Sequence, residues 1–489
     1  MQQAAMAFNS RRSPVFARKG MVAASQPLAA AAGVQILAAG GSAADAAVAV
    51  AAALNVTEPC STGLGGDAFA LYYHAAEAKV YALNGSGRAP RSLTLAKAQQ
   101  AAVDGKLPAR HPYTITVPGA CAAWCDLVAR FGRLALADSL APAASLAEEG
   151  FPVGPLTARQ WAGSEALLRS AAGGGTFLID GRAPRAGEIF KNAHLANTLR
   201  AIGAGGKAAY YQGQIGEALA RAVQSAGGCL DQADLAAHSS EWVEPISTTY
   251  RGLRVWECPP NGQGLAALLA LNILEGFDLS SLAWDDSRRL HWMLEAMRLA
   301  FLDAGKYIAD PQMALVPTTG LLDKAYAAER RRLILPERAN PDLAPGRPSG
   351  SSGTVYFSVV DGQGNACSFI NSNYMGFGTA IVPAGCGFSL QNRGHNFSLT
   401  AGHANALAPG KRPFHTIIPA LATREADGSL YASFGVMGGF MQPQGHVQVL
   451  TALVDDGLDP QEALDRPRWC IDPAADGQAE IEEGIPEQS

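Results

Sequence analysis

The pattern of apolar and polar positions divides the chain into a mainly helical part and a strand-rich part. From residue 117 to residue 335, apolar side chains recur three and four positions apart, which is helical spacing. The clearest case is the stretch 290–303, whose repeating apolar residues are Leu290, Met293, Leu294, Met297 and Phe301. After residue 353 the period changes to two, which predicts strands at 354–360, 366–372, 386–391, 415–423 and 430–436. A last helix, predicted at 444–454, would cover the resulting sheet.

Two alanine-rich helices are predicted near the amino terminus. The first runs from Ser25 to a stop at Gly40-Gly41, and the second starts at Ser42, with Asp45 three positions on as the acid of a capping box. Each apolar run is shorter than the roughly 18 residues of a membrane span. Two strands are predicted next, at 68–74 and 79–83. Helices, then mostly antiparallel strands, then a helix again predict an α+β layered sandwich.

Composition and charge narrow the classes of function. The 489 residues are 48% hydrophobic and carry a net charge of −5 without a long basic run, so neither a nucleic-acid partner nor a membrane partner is expected. The eight cysteines form no CxxC pair and the nine histidines no HxH or HxxxH, so no metal site is predicted. Basic residues near the start are not followed by a signal-length apolar segment. We expect a cytoplasmic protein that needs no metal or organic cofactor.

Thr354 opens the strand pattern directly after a loop. The preceding stretch 345–353, Pro-Gly-Arg-Pro-Ser-Gly-Ser-Ser-Gly, has no apolar periodicity. A hydroxyl residue at such a loop-to-strand junction is where a chain could cut itself and expose a new amino terminus. On this motif alone, a plain linker that enters a strand is the alternative.

Three further polar features lie in the last third of the chain. Gly438-Gly439 follow a predicted strand, and paired glycines let backbone N–H groups approach a reacting carbonyl, as an oxyanion hole requires. A structural turn is the alternative. The polar stretch 371–374 closes a strand that could lie beside Thr354. The stretches 391–396 and 409–413 add dense polar and cationic side chains.

The chain resembles the γ-glutamyltransferase family of N-terminal-nucleophile hydrolases from about residue 20 nearly to its end. The stretches that carry the resemblance are 20–26, 37–47, 62–67, 117–119, 354–361, 411–413 and 438–439. The resemblance implies a four-layer αββα sandwich made as a precursor that cleaves itself before a threonine. It therefore implies a large subunit, 1–353, and a small subunit, 354–489, interlaced in one sandwich. A homodimer of such heterodimers is a further expectation.

The resemblance also implies the chemistry. The Thr354 hydroxyl attacks an amide carbonyl, while the amine freed by self-cleavage acts as the general base for that hydroxyl. An acyl-enzyme forms, and water or an amine accepts the acyl group. Gly438 and Gly439 fall at the family's oxyanion hole, and Ser372 falls where the family usually has a threonine that supports the nucleophile.

The substrate-binding positions depart from the family's pattern. They are Ser86, Arg88, Tyr374, Arg393, Asn396, His415 and Thr416. Ser86 stands where the family has an arginine for the α-carboxylate, and Arg88 follows two residues on. Asn396 stands in place of an acid that grips the α-ammonium. Losing that anion weakens recognition of an ammonium, whereas Arg88 and Arg393 still suit a carboxylate.

Several functions stay open on these residues. The resemblance implies an amidohydrolase or acyltransferase that acts on γ-glutamyl (glutathione-type) or related carboxylate-bearing amides through acyl-Thr354. A glutaryl- or cephalosporin-acylase-like enzyme, or a hydrolase of short dicarboxylic monoamides such as oxamate, is the alternative that the departures favour. An unprocessed relative that only binds small amides is the third. Family members usually extend beyond the point where this sequence stops; if the protein itself ends there, we expect one incomplete sandwich edge.

Overall fold

The computed structural model describes residues 12–341, 353–471, 478–487 and 489. Its strands are β1 (Gly20–Ala24), β2 (Asp67–His74), β3 (Lys79–Gly85), β4 (Phe151–Pro152), β5 (Ile189–Phe190), β6 (Glu241–Val243), β7 (Ile246–Tyr250), β8 (Leu253–Glu257), β9 (Gly353–Asp361), β10 (Ala366–Tyr374), β11 (Ala420–Arg424), β12 (Leu430–Phe434), β13 (Trp469–Ile471) and β14 (Ala479–Ile481). Its α-helices are α1 (Pro27–Ala38), α2 (Ala43–Thr57), α3 (Leu95–Gln100), α4 (Ala120–Phe131), α5 (Leu136–Glu149), α6 (Pro155–Ala162), α7 (Glu165–Ser170), α8 (Ala193–Tyr211), α9 (Gln214–Ser225), α10 (Gln232–Ala236), α11 (Gly264–Leu274), α12 (Ser287–Tyr307), α13 (Thr318–Leu321), α14 (Lys324–Arg331), α15 (Met441–Val454) and α16 (Pro460–Asp465).

Two antiparallel sheets form the centre of the molecule. The first has six strands in the order β1-β9-β10-β2-β3-β6, and the second has four in the order β12-β11-β8-β7. The predicted alternation in β9 is confirmed. Val355, Phe357 and Val359 pack into the core shared with α1 and α2, whereas Tyr356 turns to the other face, toward the second sheet.

The packing of alternate residues on β8 and β11 shows the order of the layers. Leu421 of β11 and Trp256 of β8 pack between the two sheets. Val255 and Ala422, one residue along on the same strands, pack instead against α11, α12 and α15. The order is therefore helices, sheet, sheet, helices, and the predicted αββα sandwich is confirmed. None of the described helices is long and apolar enough to cross a membrane.

Helix α2 begins as its sequence predicts. The Ser42 side chain accepts from the backbone N–H of Asp45, and the Asp45 carboxylate accepts from the N–H of Ser42 at 2.8 Å. This reciprocal capping box satisfies two N–H groups that a helix start leaves without partners. All fifteen residues of α2 are buried, and its alanines let α1, α5 and strands β9 and β10 of the first sheet approach closely.

Three predicted elements differ from the structure by three residues or more. The stretch 386–391 is not a strand. It is an irregular segment in which Gly387, at φ 75°, packs against α8, and its β pairing among the described residues is one isolated bridge from Leu390 to Gly65. The strand predicted at 415–423 begins only at Ala420. The last helix begins three residues earlier than predicted, at Met441, because the turn at Gly438-Gly439 already starts its hydrogen bonding.

Candidate active site

Thr354 is the second residue of β9 and lies beside the end of β10. Gly353 pairs with Tyr374 and Val355 with Asn371, so two residues of β10 stand opposite one residue of β9. This bulge turns Ser372 toward Thr354, as bulges commonly re-aim a side chain. The Thr354 hydroxyl donates to Ser372 Oγ at 3.3 Å, and both residues are buried. The structure therefore places these two hydroxyl groups next to each other, as the sequence predicts.

Arg393 places a positive charge one hydroxyl away from Thr354. Its Nη2 donates to Ser372 Oγ at 3.2 Å and its Nη1 donates to Thr416 Oγ1 at 2.7 Å. The guanidinium also stacks on the Tyr374 ring, 4.5 Å from the centroid. Burial lowers the pKa of Arg393 to about 10, so the group keeps its charge at neutral pH.

Gln263 extends this network to the glycine turn. Its Nε2 donates to Thr416 O at 2.6 Å and to Gly439 O at 2.8 Å. One hydrogen-bonded path thus runs from Thr354 through Ser372, Arg393, Thr416 and Gln263 to Gly439. Gln263 carries no sequence motif, and sequence reasoning missed it.

The residues that lead into the turn at Gly438-Gly439 lie beside β9. Both glycines have positive φ, 105° and 61°, which only glycine adopts readily. Among the described residues, neither N–H group has a hydrogen-bond acceptor. Ser433 bonds to Ser358, and a Cβ on Gly435 would lie 2.4 Å from the Tyr356 ring. As the chain advances from Ser433 to Gly435, its contacts on β9 move back from Ser358 to Tyr356. The turn that follows therefore continues in the direction of Thr354.

Asp67 is a buried carboxylate beside this network that the sequence did not single out as a site residue. Its Oδ2 lies 3.0 Å from His415 Nε2. Its Oδ1 accepts from the N–H groups of Gly87 and Gly119 and from Gln391 Nε2, at 3.0 to 3.1 Å. Burial alone would raise the pKa of Asp67, but these bonds and the nearby positive charge hold it below its usual value.

His415 is neutral at physiological pH. Burial, reinforced by the charge of Arg393, lowers its pKa to about 3. The ring therefore carries one proton, on Nε2, which donates to Asp67, while Nδ1 accepts from the N–H of Ile417 at 3.4 Å. Neutrality keeps a second positive charge away from Arg393.

This neutral imidazole predicts a loss of stability in mild acid. Unfolded histidine titrates near 6.5. Between that pH and about pH 3, a proton therefore binds to the histidine of the unfolded chain but not to folded His415. The free energy of unfolding should fall by about 1.4 kcal/mol per pH unit in this window for each such group. Buried His238, with a pKa of about 4, acts in the same direction. Thermal unfolding at pH 7 and pH 4.5 should therefore show a smaller acid shift in His415→Gln than in the wild type; equal shifts would contradict the assignment.

The predicted substrate-binding residues Ser86 and Asn396 form hydrogen bonds with residues outside the Thr354 path. Ser86 is buried and exchanges hydrogen bonds with Asn261, whose carbonyl accepts from the N–H of His415 at 2.9 Å. Asn396 donates to Phe414 O at 3.1 Å and makes no described hydrogen bond to the Thr354 path. Their roles stay predictions.

Arg88 is held by acids. Its guanidinium bonds Glu241 at 3.0 Å and Asp310 at 3.2 Å, and Gln312 accepts a further bond. Arg412 shares Glu241 at 2.9 Å, so four charges form one network. The structure does not join Arg88 to the Thr354 path. No group of three or more His, Cys, Asp or Glu among the described residues is arranged to hold a metal ion.

Comparison with known proteins gives consistent results. The family model described as gamma-glutamyltranspeptidase matches residues 29–489. The "Glutathione hydrolase-like YwrD proenzyme" of Bacillus subtilis is 39% identical over 463 residues, 93% of this chain and 85% of that protein. The "Acylase ACY 1 proenzyme" of Pseudomonas sp. strain V22 is 35% identical over 490 residues, 98% of this chain and 87% of that protein. The crystal structure of a cephalosporin acylase from Bacillus halodurans superimposes with a TM-score of 0.91 at 46% identity, covering 100% of this chain and 89% of the other.

Proposed function

The chain belongs to the γ-glutamyltranspeptidase family, and on this premise we propose that it is an amidohydrolase or acyltransferase that cleaves itself between Gly353 and Thr354. The observation that carries the proposal is the path of hydrogen bonds from the Thr354 hydroxyl to the carbonyl of Gly439. It joins the Thr354 hydroxyl, the positive charge of Arg393 and a turn whose N–H groups have no acceptor among the described residues.

Self-cleavage proceeds as an acyl shift. The Thr354 hydroxyl oxygen attacks the carbonyl carbon of Gly353, the C–N bond breaks, and the hydroxyl proton passes to the released nitrogen. Water then hydrolyses the Gly353 ester, which leaves a carboxylate on one fragment and a free Thr354 amine on the other. That amine is far less basic than a lysine amine, so a fraction of it is unprotonated near neutral pH and can take the hydroxyl proton.

The neighbouring residues then act on the transition state of amide hydrolysis. Ser372 fixes the Thr354 hydroxyl, and the charge of Arg393 favours its deprotonated form. The N–H groups of Gly438 and Gly439 donate to the carbonyl oxygen as it becomes negative. The acyl-Thr354 ester is finally attacked by water, or by an amine in acyl transfer.

The charges around the site favour an acyl group with a carboxylate and without a free α-amine. A buried ammonium needs an anion, and the buried carboxylate beside the site, Asp67, already accepts from four groups. Asn396 is neutral, and Arg393 would repel an ammonium. We therefore favour a glutaryl-like or short dicarboxylic amide over a γ-glutamyl amide.

We expect the wild-type enzyme to hydrolyse glutaryl-p-nitroanilide with a kcat/KM about 10- to 100-fold above that for γ-glutamyl-p-nitroanilide. The reason is that the α-ammonium would be buried without a partner, at a cost of about 1–3 kcal/mol. Both anilides release the same chromophore, so initial rates compare directly. Oxamate, assayed by ammonia release, tests the short dicarboxylic monoamide. A preference for the γ-glutamyl anilide would instead assign the glutathione-type activity.

The two fragments, 1–353 and 354–489, are proposed to remain one body after cleavage. Strands β9 and β10 come from the second fragment and lie between β1 and β2 of the first in a single sheet. We also propose a reducing compartment such as the cytoplasm, which is supported by seven cysteines that form no disulfide among the described residues: Cys60, Cys121, Cys125, Cys229, Cys258, Cys367 and Cys386.

A further inference from the structure

A substrate carboxylate needs a cation that is not already neutralised. Arg88 is paired with Asp310 and Glu241. Arg393 uses both terminal nitrogens on hydroxyl groups, and its side chain has no exposed surface. Neither arginine therefore offers a free two-nitrogen edge, the geometry that best binds a carboxylate.

Arg110 does offer donors. It is half-buried, and its Nη1 donates to the backbone carbonyl of Gly376 at 2.9 Å. No carboxylate of the described residues forms an ion pair with it, and burial is the single cause that lowers its pKa. Burial, and then the charges of Lys106 and Arg110, lower the pKa of His395, so Arg110 lies near that ring.

The position of Arg110 is fixed relative to the site. Asn392 Nδ2 donates to Ala109 O at 2.8 Å, and Asn392 Oδ1 accepts from the N–H of Met375 at 3.1 Å. This clamp holds residues 109–110 against the loop that directly follows Tyr374. Arg110 is therefore held against the segment that follows Tyr374, whose ring stacks on Arg393.

We propose that Arg110 binds the carboxylate at the far end of the substrate's acyl chain. This inference rests on the proposed amidohydrolase function and names the residue that selects a carboxylate-bearing acyl group. Arg393 then acts on the Thr354–Ser372 pair, while Arg110 holds the opposite end of the acyl chain.

The test compares two anilides of equal chain length, glutaryl-p-nitroanilide and pentanoyl-p-nitroanilide, which differ in a carboxylate against a methyl group. In Arg110→Gln we expect kcat/KM for the glutaryl substrate to fall about 30- to 100-fold, mainly through KM, because one charge-assisted contact is lost. The pentanoyl substrate should change by less than about twofold. Arg110→Lys keeps the charge and should restore part of the glutaryl activity. The matched control is Arg221→Gln, on the exposed side of α9.

Equal losses on both substrates, or no loss on either, would overturn the role of Arg110 while leaving the proposed function in place. A wild-type enzyme that cleaves neither anilide nor any γ-glutamyl amide would overturn the proposed function and this inference with it. Fragment masses report whether each variant folds and cleaves itself. If Arg110→Gln does not, Arg110→Lys decides alone: a loss confined to the glutaryl substrate supports the proposal, and an equal loss on both contradicts it.

Discussion

Replacing Thr354 by alanine should leave one uncut chain without amidase activity. The substitution removes the one hydroxyl oxygen at the start of β9 that, in the proposed mechanism, first attacks Gly353 and then carries the acyl group. We expect kcat/KM to fall by about 10 000-fold or more, as when a nucleophile is deleted from a preorganised site. Intact mass under denaturing conditions should show a single species of 50.8 kDa.

The wild type provides the comparison in the same measurement. It should give two polypeptides, residues 1–353 and 354–489. Thr354→Ser keeps the hydroxyl and should still be cut, though more slowly, and Thr400→Ala, on the exposed surface, should behave as the wild type. If wild-type protein stays uncut and hydrolyses no amide, the chain is a relative that only binds small molecules. Cleavage of Thr354→Ala at the same bond would rule out Thr354 as the nucleophile.

Replacing Asp67 by alanine should cause the largest loss of stability. The change leaves the N–H groups of Gly87 and Gly119, the amide of Gln391 and the ring N–H of His415 without their acceptor in a site with no solvent access. Removing one partner from such a buried charged network typically costs about 3–5 kcal/mol. The midpoint of thermal unfolding, measured on the uncut Thr354→Ala background so that processing does not intervene, should fall by several degrees.

Two controls separate this effect from loss of charge alone. Asp67→Asn keeps an acceptor oxygen and should be milder than Asp67→Ala. Asp138→Ala, on the exposed face of the first turn of α5, should cost less than about 1 kcal/mol. If Asp67→Ala and Asp138→Ala shift the midpoint equally, the carboxylate does not organise the site.

The features that the sequence predicted well are those with short-range causes. The alternation in β9 shows which side chains face the helices, because the period of a strand is a local property. The capping box at Ser42 and Asp45 is equally local. The pairing of β9 with β10 was also predictable, since a short turn between two alternating stretches predicts a hairpin.

The features that sequence reasoning missed depend on distant residues. Asp67 acquires its partner His415 from 348 positions away, and Gln263 reaches both Thr416 and Gly439 through loops with no pattern of their own. Local spacing carries no information about such contacts. The strand wrongly predicted at 386–391 shows the converse, because an alternating pattern forms a strand only where a neighbour is available to pair with it.

Helix α2 has a consequence for how this protein tolerates mutation. It touches α1, α4 and α5 on one side and β9 and β10 on the other, so no face is free to move outward. A larger side chain at Ala49 or Ala53 would have to displace either a neighbouring helix or the strand that carries Thr354. The volume of the side chains on α2 therefore affects the reaction, because an added methyl group on this helix can displace Thr354. Substitutions in α2 are restricted by the size of the side chain rather than by its chemical type.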